Sequence, residues 1–372
     1  MNRHVKRVFM TADTIGGVWG YSIELARGLA SEGVQTGVAT MGAPLSKAQW
    51  SEAAAVPGLR IFESSYKLEW MDNPWSDVER AGDWLLTLEE EYQPDVVHLN
   101  GYVHGDLPWR APHLVVGHSC VLSWWQAVKG ESAPALWHIY RERVLRGIRA
   151  ADRVIAPSRA MLSFMQHHYG QLESTVVVPN SRDPLRYVPG NKEPIIFAAG
   201  RVWDEAKNLA QLSRVAHLLN WPVYIAGDAK RPDGSAKHFP NVQMLGVLSS
   251  NEVASWLSRA AIYCLPARYE PFGLSVLEAA LSGCALVLGD ISSLRENWDG
   301  AAVFTTPGDD AALADGLREL IRNAGRRVSM ASAALTRGRQ FTTKRMASTY
   351  LDIYHELAGQ EHTTIPQRVS QE

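Results

Sequence analysis

The chain of 372 residues has a composition that excludes several classes of protein. Its hydrophobic share of 46% is enough to fill about two domain cores of ordinary size. The formal net charge of −2 gives no positive field for nucleic acid. No apolar run approaches the roughly 20 residues that a bilayer-spanning helix needs, so no transmembrane segment is predicted.

The three cysteines are typical of reduced core thiols. Cys120, Cys264 and Cys284 lie in or beside apolar runs, which favours a cytoplasmic location. No Cys-x-x-Cys motif or His/Cys pair suggests zinc, and we expect no metal. The apolar stretch Val8–Met10 is too short for a signal peptide and reads as part of a first strand.

Strands and helices alternate through the first half of the chain. A strand over 6–12, a Gly16-Gly17 turn, a helix over 21–31 and a strand over 34–41 are predicted in that order. Further strands are predicted over 95–99, 113–116, 152–156 and 176–178. This alternation is typical of a parallel sheet with helices on both faces.

The second half repeats this organisation after a linker. The stretch from Asn180 to Pro194 contains three prolines and Gly190 without periodicity, which indicates a connection between domains. The later strands are predicted near 194–199, 222–226, 242–244, 261–265, 285–288 and 301–304. We therefore predict a first domain over 1–180, a linker over 181–193, a second domain over 194–340, a C-terminal helix over 341–358 and a frayed tail over 359–372.

The segment from Glu270 to Glu278 combines two carboxylates with the start of a helix. It follows a predicted strand, and the backbone N–H groups of Phe272, Gly273 and Leu274 are expected to be free at the positive end of that helix. Such a helix end favours phosphate, whereas carboxylates accept hydroxyl protons. A sugar joined to a diphosphate requires both. An ordinary strand–loop–helix unit explains the segment equally well when it is considered alone.

A second segment supplies two cations. Arg201 and Lys207 follow a predicted strand that ends at Gly200, and both can converge on one pair of phosphates. Taken alone, the pair fits solvated helix residues better. The order of these cations, then Ala226-Gly-Asp228, then the two glutamates is more specific than any single motif.

With these motifs the sequence resembles the family 4 glycosyltransferases, retaining enzymes of the GT-B fold, over roughly residues 5–358. The matching segments are Gly16-Gly17, Ala156-Pro-Ser-Arg159, Gly200-Arg201, Lys207-Asn208, Ala226-Gly-Asp228, Glu270-Pro-Phe-Gly-Leu274 with Glu278, and the run 341–357. The resemblance implies two Rossmann-like domains facing across a cleft, with the C-terminal helix crossing back to the first. Ser181-Arg-Asp183 departs from the usual Gly-Val-Asp of the family.

The resemblance also implies roles for individual residues. Arg201 and Lys207 would hold the donor diphosphate, Glu270 would bind hydroxyls of the donor sugar, and Glu278 would bind the ribose. Gly16-Gly17 would bring the first-domain backbone close to the diphosphate. These cations and the N–H groups of 272–274 would stabilise the leaving diphosphate in place of a metal.

His118 follows the predicted strand 113–116, and the resemblance places it near the reacting carbon of the donor sugar. A histidine that caps a loop is the alternative. His98 and His104 are weaker candidates that we expect on a neighbouring loop.

Four aromatic residues are candidate acceptor contacts, because aromatic rings suit the C–H faces of sugars. They are Trp19, Tyr21, Trp124 and Trp125. Packing in the core is the alternative for each.

The implied activity is transfer of a sugar, most simply a hexose, from a nucleoside-diphosphate sugar to a hydroxyl group of a carbohydrate or glycoconjugate. A UDP-sugar such as UDP-glucose is the favoured donor, and no cofactor is expected. A sugar-nucleotide epimerase and a non-catalytic nucleotide-sugar-binding partner protein are the alternatives. The basic stretch over 141–149 favours a solvated helix face, with peripheral membrane contact as its alternative.

Overall fold

The computed structural model describes residues 4–229 and 239–359, which form two parallel sheets covered by helices. The strands of the first sheet are β1 (Arg7–Asp13), β2 (Gln35–Met41), β3 (Leu59–Glu63), β4 (Val96–Leu99), β5 (His113–Val116), β6 (Arg153–Ala156) and β7 (Thr175–Val177). Its helices are α1 (Gly17–Ser31), α2 (Lys47–Ala54), α3 (Trp75–Tyr92), α4 (Val121–Lys129), α5 (His138–Ala150) and α6 (Arg159–Tyr169).

The second sheet belongs to the second half of the chain. Its strands are β8 (Glu193–Ala199), β9 (Val223–Ala226), β10 (Gln243–Gly246), β11 (Ala260–Leu265), β12 (Ala285–Gly289) and β13 (Val303–Thr305). The accompanying helices are α7 (Leu209–Val215), α8 (Ser250–Arg259), α9 (Leu274–Leu281), α10 (Ser292–Trp298), α11 (Asp310–Arg322), α12 (Ala324–Gly338) and α13 (Thr343–Gly359).

The strand orders create a crevice in each sheet. The first sheet has the order β3-β2-β1-β4-β5-β6-β7 and the second β10-β9-β8-β11-β12-β13. From β1 the chain continues to β2 on one side of the sheet, whereas from β4 it continues to β5 on the other side. Strands β8 and β11 of the second sheet have the same arrangement, with β9 and β12 on opposite sides. In parallel sheets this switch point opens a crevice beyond the carboxyl ends of the two strands, where ligands bind.

The predicted fold class is confirmed by the two parallel sheets. Each predicted strand overlaps an observed strand to within about two residues at its ends. Strand β3 was not predicted. It lies at the sheet edge, where Arg60 and Glu63 are exposed, so its sequence lacks a buried apolar run.

The C-terminal helix α13 packs on the first domain, as expected. Tyr350 and Tyr354 are fully buried in a cluster with Tyr21 and other residues of α1. A Cβ placed on Gly28 of α1 would lie 2.6 Å from Cβ of Ala347, so only glycine permits this approach. The predicted tail lies outside the described residues, apart from its first residue, which ends α13.

Candidate active site

The glycine turn of the first domain faces the donor motifs of the second. Gly16 and Gly17 follow β1, and Arg201 follows β8, so these residues lie at the switch points of the two sheets. A Cβ on Gly16 would lie 3.6 Å from Nη1 of Arg201, and one on Gly17 would lie 3.5 Å from Cδ1 of Leu274. Gly16 therefore lies opposite Arg201 across the crevice, and Gly17 lies opposite Leu274 at the start of α9, as the resemblance implies.

Two helices begin at this crevice. Helix α1 starts after Gly16 and helix α9 after Gly273, and neither N-cap residue makes a side-chain capping bond. The backbone of Gly273 has a φ of +92°, a left-handed conformation that glycine adopts readily. Because both positive helix ends face one crevice, the site favours an anion.

The carboxylate of Glu270 contacts part of the predicted phosphate site, which comprises Lys207 and the backbone N–H groups of 272–274. Its Oε1 accepts from the backbone N–H of Gly273 at 3.0 Å, and its Oε2 is paired with Nζ of Lys207. Ser293 donates from its hydroxyl to the carbonyl oxygen of Glu270. The expectation that the N–H of Gly273 is free was therefore wrong, because the carboxylate of Glu270 accepts its hydrogen bond.

Arg201 is held by an acidic residue on its own loop. Its Nη2 donates to Oδ2 of Asp204 at 2.9 Å, and Trp124 of the first domain donates from its indole to Oδ1 of Asp204 at 3.1 Å. Burial opposes ionisation of Asp204, but Arg201 and Lys207 outweigh it and hold the pKa of that carboxyl below its usual value. Arg201 keeps about two fifths of its side chain exposed, which leaves it available to a ligand.

Glu278 is bound by a residue of the linker. Nε of Arg182 donates to Oε1 of Glu278 at 2.7 Å, and both side chains are largely buried. Sequence reasoning noted the arginine only as a departure from the family pattern. No local signal distinguished it, because the linker also contains Asp183, Arg186, Lys192 and Glu193.

His118 lies half-buried beside the crevice. Its Nε2 is 2.8 Å from Oδ1 of Asn100, and its ring packs edge-on against Tyr21 with centroids 4.5 Å apart. Burial lowers the pKa of His118 to about 3, so its imidazole is neutral at physiological pH.

The two weaker histidine candidates are structural. His98 lies within β4 instead of on a loop, and its Nδ1 is 2.6 Å from the hydroxyl of Tyr354. Burial lowers the pKa of His98 to about 3. His104 is buried, with Nε2 3.0 Å from the carbonyl oxygen of Val78.

The structure contradicts the acceptor prediction for Trp19 and Tyr21 and favours the alternative of core packing, since both are buried in α1. Trp19 donates from its indole to Glu52 at 2.9 Å, and Tyr21 donates from its hydroxyl to Tyr350 at 2.6 Å. A helix rather than an open loop begins at Gly17, which turns these rings into the core.

Trp124 and Trp125 are only partly buried and pack edge to face, with centroids 5.9 Å apart. They lie in α4, and the hydrogen bond from Trp124 to Asp204 holds this helix beside the loop that carries Arg201. The assignment of both residues as acceptor contacts stays a prediction.

Two carboxylates that sequence reasoning missed lie on the first-domain wall. Asp13 ends β1 and accepts from the N–H of Ile15 at 2.6 Å; burial raises its pKa, although Ile15 and Arg201 act in the opposite direction. Glu69 accepts from the N–H groups of Tyr102 and Val103 at about 3 Å, and burial raises its pKa to about 7. For Asp13 the available signal was its place at the carboxyl end of the central strand β1, whereas Glu69 lies between β3 and α3 and has no such signal.

Comparison with solved structures defines the class of protein. Sucrose-phosphate synthase from Thermosynechococcus elongatus superposes with a TM-score of 0.79 over 95% of this chain and 99% of that one, at 15% identity. Anabaena HepE in complex with UDP-glucose superposes with a TM-score of 0.74 over 95% and 100%, at 16% identity. The chain therefore has the two-domain fold of the GT-B glycosyltransferases.

Family models match both halves. The model described as Glycosyltransferase Family 4 matches residues 15–186, and the one described as Glycosyl transferases group 1 matches residues 193–323. The chain belongs to the family 4 glycosyltransferases.

Curated relatives agree with this membership. A D-inositol 3-phosphate glycosyltransferase of Xylanimonas cellulosilytica is 24% identical over 91% of each chain. One of that name from a Nocardioides species is 31% identical, over 33% of this chain and 27% of that one. A glycogen synthase of Mycobacterium tuberculosis is 29% identical over 51% of each.

Residues 4–229 and 239–359, which the structure describes, contain neither a membrane-spanning helix nor a metal-binding cluster. No helix there combines the length and apolar character that a bilayer crossing requires. No cluster of three or more His, Cys, Asp or Glu side chains there is arranged to hold a metal ion.

Proposed function

We propose that this glycosyltransferase moves a hexose from a nucleoside-diphosphate sugar to a hydroxyl group of a carbohydrate or glycoconjugate, with retention of the anomeric configuration. The observation that carries the proposal is the meeting of Arg201, Lys207 and Glu270 with two helix N-termini in one crevice. Positive helix ends and cations suit a diphosphate, and the carboxylate suits sugar hydroxyls. A UDP-sugar is the favoured donor, because HepE, which shares the fold, was solved with UDP-glucose.

Donor binding would rearrange the ion pair between Lys207 and Glu270. In the present structure Lys207 and the N–H of Gly273 both contact the carboxylate of Glu270. A diphosphate offers these donors stronger anionic oxygens, so it would displace Glu270 from them. The released carboxylate would then accept hydrogen bonds from the donor sugar, which is the role that the family resemblance implies.

The chemistry follows from these contacts. Transfer breaks the bond between the anomeric carbon and a β-phosphate oxygen and forms a bond from that carbon to the acceptor oxygen on the same face. The acceptor hydroxyl proton passes to a β-phosphate oxygen. Arg201 and Lys207 stabilise the charge that develops on the diphosphate, which is electrostatic catalysis without a metal.

The first-domain wall would hold the acceptor. Asp13 and Glu69 supply acceptor oxygens for hydroxyl groups, and Trp124 and Trp125 supply partly exposed rings. A carbohydrate or glycoconjugate presents hydroxyls and C–H faces that match such groups. The three buried free cysteines favour a reducing, cytoplasmic location.

Calorimetric titration with UDP, GDP and ADP, with a chelator present, tests the donor site. We expect UDP to bind best and Arg201→Ala to lose about 1.5–3 kcal/mol of binding free energy, the usual size of a charge-assisted contact. Arg214→Ala is the matched control, since Arg214 pairs with Asp310 on the surface at 2.8 Å. Absence of binding by all three nucleotides would overturn the proposal.

A donor-only incubation separates the transferase from an epimerase. An epimerase converts the nucleotide sugar without an acceptor, whereas a transferase at most hydrolyses it slowly. Accumulation of an epimeric nucleotide sugar would contradict the proposal.

A further inference from the structure

The side-chain amide of Asn100 has an orientation that its hydrogen bonds determine. Asn100 follows β4, and its Nδ2 donates to the carbonyl oxygen of Thr11 at 2.8 Å and to the hydroxyl of Ser22 at 3.3 Å. Its backbone N–H donates to Oγ1 of Thr11 at 2.9 Å. A carbonyl oxygen can only accept, so Nδ2 must face Thr11 and Oδ1 must face the opposite side.

Two imidazoles converge on Oδ1 of Asn100. Nε2 of His118 lies 2.8 Å from it and Nε2 of His98 lies 3.1 Å from it. Both rings are neutral because burial lowers both pKa values to about 3, so each ring carries a single N–H. Since an amide oxygen accepts and never donates, each ring must carry its hydrogen on Nε2.

The remaining nitrogen of each ring is then a hydrogen-bond acceptor. Nδ1 of His98 accepts from the hydroxyl of Tyr354 at 2.6 Å, which links this arrangement to the C-terminal helix α13. No donor to Nδ1 of His118 is found within the part of the chain that the structure describes. His118, which follows the carboxyl end of β5, therefore presents Nδ1 as an acceptor that a ligand can use.

We propose that Asn100 is a positioning residue that fixes the tautomer of His118, so that Nδ1 of His118 accepts a hydrogen bond from a hydroxyl of the donor sugar. The inference rests on the proposed function, because it assigns the donor sugar as the ligand beside His118. Under this proposal the hydrogen bond has a fixed direction, in which the ligand donates from an O–H group to Nδ1 of His118. A group that can only accept, such as fluorine, does not satisfy Nδ1.

Nitrogen NMR of protein labelled with ¹⁵N-histidine tests the tautomer directly. The spectrum of His118→Gln identifies the resonances of His118 by their loss. We expect wild-type His118 to show a protonated Nε2 and an unprotonated Nδ1 near neutral pH. Observation of hydrogen on Nδ1 would overturn the proposal, and this measurement requires no nucleotide and no variant of Asn100.

Asn100→Leu removes the acceptor that fixes the ring. We expect mixed tautomers at His118 and a fall in kcat of about tenfold, with the affinity for free UDP unchanged. The matched control is Asn180→Leu, because Oδ1 of Asn180 is buried without a hydrogen-bond partner among the described residues. An unchanged tautomer and unchanged kcat in Asn100→Leu would contradict a positioning role.

Donor analogues test the direction of the bond. Fluorine is placed at each non-reacting hydroxyl of the donor sugar in turn. We expect the wild type to turn over one fluorinated donor more slowly than the native donor. In His118→Ala, replacing the native donor with that analogue should cause no further loss of turnover. If UDP fails to bind while the tautomer is as expected, the proposed function fails and the role of Asn100 in fixing the tautomer stands. If UDP binds and no analogue discriminates, the contact to the sugar is wrong.

Discussion

Arg182 and Glu278 form a buried ion pair, with Nε and Oε1 2.7 Å apart, that joins the linker to helix α9 of the second domain. Nη1 of Arg182 also donates to the carbonyl oxygen of Gly20 in α1 at 3.3 Å. One side chain therefore contacts the linker and both domains. The pair also orients the carboxylate to which the family resemblance assigns the ribose.

Replacement of Arg182 distinguishes the stability contributed by the ion pair from the destabilisation caused by an unpaired Glu278. Arg182→Met leaves Glu278 buried without its cation, and we expect the free energy of unfolding to fall by about 3–5 kcal/mol. The double variant Arg182→Met with Glu278→Gln removes both charges, so most of that loss is regained. Urea denaturation of both variants measures the difference. Equal stability of the single and double variants would show that the charge of Glu278 is not the cause.

Glu270→Ala is expected to impair turnover more than nucleotide binding. The variant loses a charge-assisted contact to the donor sugar worth about 1.5–3 kcal/mol, whereas Lys207 is freed to bind phosphate. Free UDP should therefore bind nearly as well as to the wild type, as measured by calorimetry beside initial rates. Glu270→Gln keeps the acceptor for the N–H of Gly273 and serves as the control for shape. Loss of UDP affinity in both variants would overturn this division of roles.

Glu69 makes the stability of the protein depend on pH. Burial raises its pKa to about 7, so between about pH 4.5 and pH 7 the folded state holds a proton that the unfolded state has lost. The contribution of Glu69 to stability is present at low pH and is lost as the pH rises through 7. From pH 4 to pH 8 we expect the unfolding free energy of the wild type to fall by about 3 kcal/mol relative to that of Glu69→Gln.

Urea denaturation of the wild type and Glu69→Gln across this pH range measures the difference. Glutamine still accepts from the N–H groups of Tyr102 and Val103, so the hydrogen bonds of the loop are retained. Parallel pH profiles of the two proteins would show that Glu69 titrates normally.

Gly28 tests the docking of the C-terminal helix. Gly28→Ala places a methyl group 2.6 Å from Cβ of Ala347 and forces α1 and α13 apart, which we expect to cost about 1–3 kcal/mol. Gly325→Ala, also in a helix, is the control, because its nearest neighbour would be Oδ1 of Asn323 at 3.6 Å. Thermal unfolding measures both. A destabilisation equal to that of the control would mean that the two helices adjust without cost.

The positions of the strands along the chain, except that of β3, and the loop positions of the donor motifs could be predicted from the sequence. Buried parallel strands are continuous apolar runs, and the residues after them must lie at the carboxyl edge of a sheet, as Arg201 and Glu270 do. Strand β3 escaped prediction because an edge strand with Arg60 and Glu63 exposed has no such run. Trp19 was misplaced because α1 begins at Gly17, before the predicted start of the helix at Tyr21. The residues after a Gly-Gly turn can start a helix or continue a loop.

The partners of the site residues could not be predicted, because they come from distant parts of the chain. Nothing local joins Arg182 to Glu278, which are 96 positions apart, or His98 to Tyr354, which are 256 apart. The same holds for Asn100 and the two imidazoles, where the tautomer follows only from hydrogen bonds made in the folded state.

The sequence by itself determined two α/β domains, the apolar strands within them, and which charged residues stand at their carboxyl ends, since hydrophobic periodicity and loop position are local properties. Tertiary structure alone decided that Lys207 neutralises Glu270, that Arg182 neutralises Glu278, and that Asn100 sets the hydrogen on His118. Charge pairing and proton position depend on distances between residues that only the folded chain brings together.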